Sequence, residues 1–379
     1  MRKVSSALIG IVLVLLSLGI VMVASASSVR GETAFGDPHY FVKRQIAWLV
    51  IAVAVAVVTA RFDYHWWQKR LVMLVLLGGS VVLLALVFAP GIGHHAGGSS
   101  RWIRVPPFSL QPSEAAKFSI VVVLSSWMTR IGRRSRSLRD GLLLPLGGLG
   151  CVLLLLIREP DFGTTLLTGA VGMLIMFTGG TRLSYLAVSG VVGLCGFSLA
   201  VMRDPVRLNR ILAFLMPERY PATAYHLAQS KYAFINGGLF GVGLGNSIQK
   251  HLYLPEAHTD FILAIIGEEL GFIATVSVVL LFAGIVVCGM IISLRAPDRL
   301  GRLIAFGFTV LIALQAAINV GVVTGCLPTK GLPLPFLSYG GSSLVSTMAS
   351  VGVLLNIARH AAEEGDEHTR PIKDRWHRW

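Results

Sequence analysis

Apolar runs of about 20 residues recur along the whole chain, and each is long enough to cross the hydrocarbon of a bilayer as a helix. Composition points the same way. Apolar residues make up 54% of the 379 positions and charged residues only 14%, about half of what a soluble chain of this size carries. The 41 glycines suit helices that approach closely in lipid. Ten spans fit the runs, at 7–26, 45–60, 71–89, 113–129, 141–157, 162–178, 185–202, 259–292, 303–323 and 339–358. The first reads as a retained helix and not a cleaved signal, because membrane spans follow it throughout. The eighth is long enough to enclose a bend or to extend beyond the bilayer.

Lys and Arg set the orientation. Arg2, Lys3, Arg61, Lys69, Arg70, the arginines 130, 133, 134, 136 and 139, Arg182, Arg295, Arg299 and Arg302 all fall on one set of connections. The short, positively charged set is cytoplasmic, which places both termini inside. The opposite set, 27–44, 90–112, 203–258 and 324–338, faces the periplasm. The expected fold is therefore an all-α polytopic integral membrane protein of about ten transmembrane helices. It forms one membrane domain over 1–358, with a large periplasmic loop, 203–258, before the eighth helix. A polar cytoplasmic tail, 359–379, should be solvated and loosely ordered.

The net charge of +14 raises nucleic acid as a partner, but no aromatic-interleaved basic repeat, finger spacing or separate soluble domain accompanies it. Membrane topology explains the charge better. The four cysteines are far apart and form no CxxC pair, so neither a zinc site nor a disulfide framework is expected.

The outward elements hold the residues with chemical potential. At 254–266 a dense polar cluster, including Glu256, His258 and Asp260, runs straight into an apolar helix. An ionisable group at the end of a span marks a functional site by default; the alternative is that these residues end a loop and cap a helix. In the loop 203–258, residues 208–214 suggest a short amphipathic or re-entrant helix and 228–240 a second helical piece. The glycines of 237–246 allow close approach to a ligand, or simply let the loop fold onto the helices. Arg203, Arg207, Arg210, Arg219, Lys231 and Lys250 make this loop basic, which suits an anionic substrate at headgroup level or anionic lipid in general. Glu114 and Lys117, three apart, can pair on one helix face. Residues 158–161 form a second charged knot. The prolines of 328–336 form either a rigid outer wall or a helix-breaking turn.

Five stretches carry a family resemblance: QPSEAAK at 111–117, EPDFG at 159–163, INGGLFGVGLGNS at 235–247, LPEAHTDFILAIIGEELG at 254–271 and LPTKGLPLPFLSYGGSSL at 327–344. With them the chain resembles the SEDS family of polytopic cell-wall proteins, whose branches are FtsW, RodA and SpoVE, over about 8–358. The TKG of the last stretch and INVGVVTG at 318–325 are most like the cell-division branch, FtsW. The resemblance implies a peptidoglycan glycosyltransferase. It would polymerise lipid II into β-1,4 glycan strands at the outer face of the bacterial cytoplasmic membrane, enriched at the division septum. It also implies a class B penicillin-binding protein transpeptidase as partner, among other divisome membrane proteins. The same reaction in rod-shape elongation, a lipid II transporter or flippase, and an inactive structural member of a division complex are the competing readings.

The family's essential aspartate falls on Asp260. An α-linked donor and a β-linked product require one inversion, so Asp260 is expected to act as base on the acceptor hydroxyl. Lys117, Arg207 and Arg210 are expected to neutralise the pyrophosphate leaving group, with Glu114 orienting Lys117. Glu256, His258 and Lys330 complete the expected substrate-binding set. No tightly bound cofactor is expected. A divalent cation such as Mg2+ bridging the diphosphate is compatible with this chemistry, but no dedicated metal cage is visible.

Overall fold

The computed structural model describes residues 1–89, 93–96, 99–105, 108–251 and 253–369. Each of the ten expected apolar runs carries a helix. These are α1 (Arg2–Phe35), α2 (Tyr40–Arg61), α3 (Arg70–Leu86), α4 (Pro112–Ile131), α5 (Leu144–Arg158), α6 (Phe162–Thr178), α7 (Leu183–Met202), α10 (Ile262–Leu294), α11 (Arg299–Val323) and α12 (Gly341–Thr369). Among the described residues, seven helices are long and apolar enough to cross a membrane, and α3 and α6 are shorter apolar helices. The chain is a multi-pass membrane protein. The tail begins as a continuation of α12; positions 370–379 lie outside the described residues.

Helix starts follow local chemistry. Asp161 caps α6 by accepting from the Thr164 amide at 3.2 Å, and Asp298 caps α11 by accepting from the Gly301 amide at 2.9 Å. Pro112 opens α4 at a position whose N–H would have no partner. At the core, α4, α6, α11, α12 and the first turns of α10 bury most of their side chains. By contrast α7 buries only Leu186 and Val201, so it stands at the periphery.

The connections gather at two ends. At one, the Tyr64 hydroxyl donates to Asp298 at 2.7 Å, and Arg299 donates to the Gly179 carbonyl at 2.6 Å. Arg130 reaches the Gln68 carbonyl at the same end. At the other end, Arg101 and Arg207 both reach the Pro160 carbonyl and Arg30 pairs with Glu256.

The loop 203–258 carries two helices, α8 (Pro205–Leu215) and α9 (Pro221–Gly237), where short helical pieces were expected. A small antiparallel sheet, absent from the sequence expectation, occupies the connection between α3 and α4, the second of those expected to face outward: β1 (Gly93–Ala96), β2 (Ser99–Val105) and β3 (Phe108–Leu110), in the order β1-β2-β3. Its strands are short and rich in Gly, Ser and His, so neither apolar alternation nor β-branched enrichment announced them.

The glycine run folds onto α10. That helix is broken at Gly271, where φ is 83°, so the bend lies inside the eighth apolar run. Amides 242 and 243 donate to the Glu268 and Glu269 carbonyls at 3.0 Å each, and the Phe272 amide donates to the Gly238 carbonyl at 2.9 Å. The chains approach so closely that a Cβ at Gly271 would lie 2.4 Å from the Leu239 carbonyl oxygen, and one at Gly237 would lie 1.9 Å from the Gly267 carbonyl oxygen. The junction is held by two fully buried carboxylates. Glu268 accepts from amides 248 and 249 and from the Ser247 hydroxyl. Glu269 accepts from the Ser25 hydroxyl of α1 at 2.6 Å and lies 3.6 Å from the Lys250 ammonium. Gly271→Ala should therefore destabilise the protein by about 1–3 kcal/mol or more, from left-handed strain plus a backbone clash. Thermal unfolding in detergent checks this, and a wild-type midpoint would show that the junction yields freely.

Candidate functional site

A cleft of about 210 Å³ opens at the end of the molecule that holds the loop 203–258. The turn between α5 and α6 supplies Asp161 and Phe162, β2 supplies Arg101, and α8 supplies Asp204, Arg207 and Arg210. The proline-rich segment forms a wall with Thr329, Lys330 and Gly331, and Phe197 of α7 closes one side. Four cations thus face two carboxylates. Among the described residues one close pair joins them: Arg207 lies 2.7 Å from Asp204. The Arg207 guanidinium also lies 3.8 Å from the Phe162 ring centroid and donates to the Pro160 carbonyl at 3.1 Å. Arg101 donates to the same carbonyl at 2.5 Å. Two arginines are thereby fixed by one backbone oxygen. Burial pushes the Lys330 ammonium below its ordinary range. The arrangement sets four cations against two carboxylates beside the Phe162 and Phe197 rings, a charge balance suited to an anion.

Asp260 lies beneath the wall. A Cβ at Gly331 would stand 2.9 Å from Asp260 Oδ2, so only glycine at this position leaves the carboxylate uncrowded. The helix α10 starts two residues later and has no side-chain cap bond, which removes capping as the reason for an acid here. Three consecutive carbonyls hold the turn in place. Those of 258, 259 and 260 accept from the Tyr339 amide at 2.9 Å, the Ser338 hydroxyl at 2.6 Å and the Asn319 amide nitrogen at 2.8 Å. Burial raises the Asp260 carboxyl to about 7, with Glu256 and Asp161 adding to the rise while Arg101 and Arg210 oppose it. A carboxyl poised there can hold or release a proton at neutral pH and sits within electrostatic reach of the cationic cleft.

The remaining expected residues fall into two groups. Arg207, Arg210 and Lys330 line the cleft. Glu114, Lys117, Glu256 and His258 do not. Glu256 pairs with Arg30 of α1 at 3.1 Å and accepts from the Thr259 hydroxyl at 2.9 Å. Burial alone would raise this carboxyl, but the Arg30 guanidinium and the Thr259 hydroxyl bond together hold it low. His258 is buried against the rings of Phe41 and Tyr339, with centroids 4.7 and 5.8 Å away, and burial drives its imidazole down to about 4, so it is neutral. Both act on the turn that carries Asp260.

Glu114 and Lys117 are almost wholly buried, 2.9 Å apart. The Lys117 ammonium also donates to Gln315 Oε1 of α11 at 2.8 Å. Gln315 donates on to the Pro333 carbonyl at 2.9 Å, and Asn319, one turn further along α11, bonds both the Leu332 and the Asp260 carbonyls. A polar chain therefore runs from Glu114 through α11 to the wall and to Asp260. Sequence reasoning missed Gln315 and Asn319. Their signal was present as two amides four apart on one face of an otherwise apolar run. Arg101, Asp161, Phe162 and Phe197 were also missed as site members; nothing in the sequence says that positions 101, 161 and 197 meet.

Among the described residues no group of three or more His, Cys, Asp and Glu side chains is placed to hold a metal ion, and all four cysteines are free.

A multi-pass helical bundle with a half-buried acid beside a cationic cleft at one end defines the class. Comparison with known proteins supplies the lineage: residues 6–363 match the family model FTSW_RODA_SPOVE, described as cell cycle protein, and the chain belongs to that family. A relative in Trichlorobacter lovleyi, a probable peptidoglycan glycosyltransferase FtsW, is 46% identical and aligns over 92% of this chain and 91% of its own. The stage V sporulation protein E of Bacillus subtilis is 40% identical over 93% of this chain and 96% of its own. Among solved structures, one chain is described under structural coordination of polymerization and crosslinking by a peptidoglycan synthase complex. It superposes with a TM-score of 0.75 at 26% identity, covering 93% of this chain and 97% of the other. The rod shape determining protein RodA of Thermus thermophilus superposes at 0.69 and 26% identity, covering 93% and 96%.

Proposed function

We propose that this chain is a peptidoglycan glycosyltransferase of the bacterial inner membrane that polymerises lipid II during cell division. The observation that carries the reading is the Asp260 carboxyl, raised to about 7 within the field of a cleft lined by Arg101, Arg207, Arg210 and Lys330. A lipid-linked diphosphate brings negative charge at headgroup level, and four cations against two carboxylates meet it. Pyrophosphate is already a good leaving group, so it needs neutralisation more than protonation. Asp260 takes the proton of the acceptor sugar's 4-hydroxyl as that oxygen attacks C1 of the donor. The C1–O bond to the diphosphate breaks, the β-1,4 linkage forms with inversion, and the lipid diphosphate leaves in the cationic cleft.

The relatives with FtsW in their names favour the division role over elongation. A transporter would need polar groups distributed to the midplane, whereas the cleft is built from loop and helix-end residues. In this reading all ten apolar helices cross the bilayer and the arginine-rich end is cytoplasmic. The tail follows α12 on that side, and the cleft opens to the periplasm. A transpeptidase of the class B penicillin-binding type crosslinks the product as a separate partner. Glu114, Lys117, Glu256 and His258 position Asp260 and the wall, while Arg207, Arg210 and Lys330 bind the diphosphate.

Purified protein, alone and with its transpeptidase, should polymerise labelled lipid II into strands resolved on a gel. Absence of polymer under both conditions would remove the enzyme reading. Within it, Arg210→Gln should cost about 10–100-fold in rate through the loss of one charge-assisted contact to the diphosphate. An unchanged rate at limiting lipid II would take Arg210 out of the site. For sidedness, a single cysteine at Asn246, in a chain cleared of its native cysteines, should react with an impermeant thiol reagent from the periplasmic side, whereas one at the exposed Ser137 should react only from the cytoplasmic side. The reverse pattern would put Asp260 in the cytoplasm.

A further inference from the structure

Glu159 is a buried titratable group for which the mechanism above has no use. It sits in the turn between α5 and α6 with no solvent exposure, and neither carboxylate oxygen has a hydrogen-bond partner among the described residues. An ionised carboxylate in that setting is strongly disfavoured, and a buried polar group with no partner needs a reason to be there. The turn itself is the anchor of the cleft. The carbonyls of Glu159 and Pro160 accept from Arg101 at 3.4 and 2.5 Å, the Pro160 carbonyl also accepts from Arg207, and Asp161 both caps α6 and lines the cleft. Two cations of the binding site therefore take their position from the backbone of Glu159 and its neighbour.

The charged groups acting on the Glu159 carboxyl are Asp161 from the same turn, which repels a second anion, and Arg101 from β2, which would attract one. Around the same turn, α8 presents Arg207, Arg210 and Asp204, and the wall presents Lys330. Arg101 is thus the cation that an ionised Glu159 would recruit, and recruiting it withdraws the guanidinium from the two carbonyls and from the cleft. We propose that Glu159 is a positioning residue that works as a neutral carboxylic acid, leaving Arg101 committed to the cleft, and that its ionisation disassembles the cationic site. This rests on the reading of the cleft as the diphosphate site.

Burial, reinforced by Asp161 and opposed by Arg101, raises the Glu159 carboxyl to about 8. Two measurements on the full-length protein, wild type, Glu159→Gln and Glu159→Ala, test the idea. The first is the polymerisation rate on lipid II from pH 6 to 9.5. Wild type should show a descending limb above about pH 8, about tenfold down one unit further on. Glu159→Gln, whose amide mimics the neutral acid, should keep the neutral-pH rate and lose the descending limb, and Glu159→Ala should be impaired throughout. An identical descending limb in Glu159→Gln, or a folded but inactive Glu159→Gln, overturns the proposal. The second is the thermal midpoint in detergent, which needs no activity. A raised carboxyl keeps its proton in the folded state after the unfolded chain has lost it. The midpoint gap between Glu159→Gln and wild type should therefore widen from about pH 4.5 to about 8 and then level off. A constant gap overturns the neutral-acid assignment even if the protein polymerises nothing, whereas a widening gap with no polymer at any pH faults the functional reading alone.

Discussion

Asp260→Asn is expected to abolish polymerisation, with a loss of about 10²–10⁴-fold or more, the range a general base contributes. The amide keeps the shape of the turn but cannot accept the acceptor's proton. The fold should not suffer, because the backbone of 258–260 is held by Tyr339, Ser338 and Asn319, and not by the Asp260 carboxylate. Stability should even rise at alkaline pH. The carboxyl is raised from 3.8 to about 7, so its contribution is fully present below about 3.8 and is lost as pH rises through about 7. The neutral amide escapes that penalty, and its thermal midpoint at pH 8 should exceed that of wild type. Near-normal polymer from well-folded Asp260→Asn protein would remove Asp260 as the base.

Lys117→Met carries the second large effect, and it is an effect on the fold. The side chain is 2% exposed and binds Glu114 and Gln315. Removing its charge leaves Glu114 as an uncompensated buried carboxylate, a loss of about 3–5 kcal/mol. Glu114→Gln combined with Lys117→Met should restore most of that stability, since no unpaired charge remains. Activity of the double variant should stay lowered, because the chain from Lys117 through Gln315 to the Pro333 carbonyl is cut. Thermal midpoints and polymerisation rates of the two variants check this together. A stable, inactive Lys117→Met single variant would instead show that the lysine acts on the substrate itself.

That pair illustrates what the sequence could and could not reveal. QPSEAAK announced an acid and a base three apart at the start of a span, and they do pair. Their depth was not visible. Pro112 starts α4 just upstream, and Gln315 of α11, almost 200 positions away, receives the ammonium. The ten helices were legible because each must satisfy its own backbone within one apolar run. The bend in α10 was foreshadowed by its length, but the cause lies in the glycine run folding against it at Gly271. Both options for those glycines fitted the sequence; contact with α10 is what the fold uses. Asp260 stood out as an acid at a helix entrance, whereas the cleft did not. It is assembled from β2, the α5–α6 turn, α7, α8 and the proline wall, whose adjacency is a property of the bundle and not of any local pattern.

In the proposed reaction Asp260, poised near neutrality beside a cationic cleft, removes the acceptor's proton. The most direct measurement is the initial rate of lipid II polymerisation by the purified wild-type protein between pH 5 and 8, at saturating substrate. The base must be ionised, so the rate should climb about tenfold per unit below the transition and bend over near pH 7. A rate that is flat across that range, or that rises with a midpoint near the ordinary carboxylate value, would contradict it.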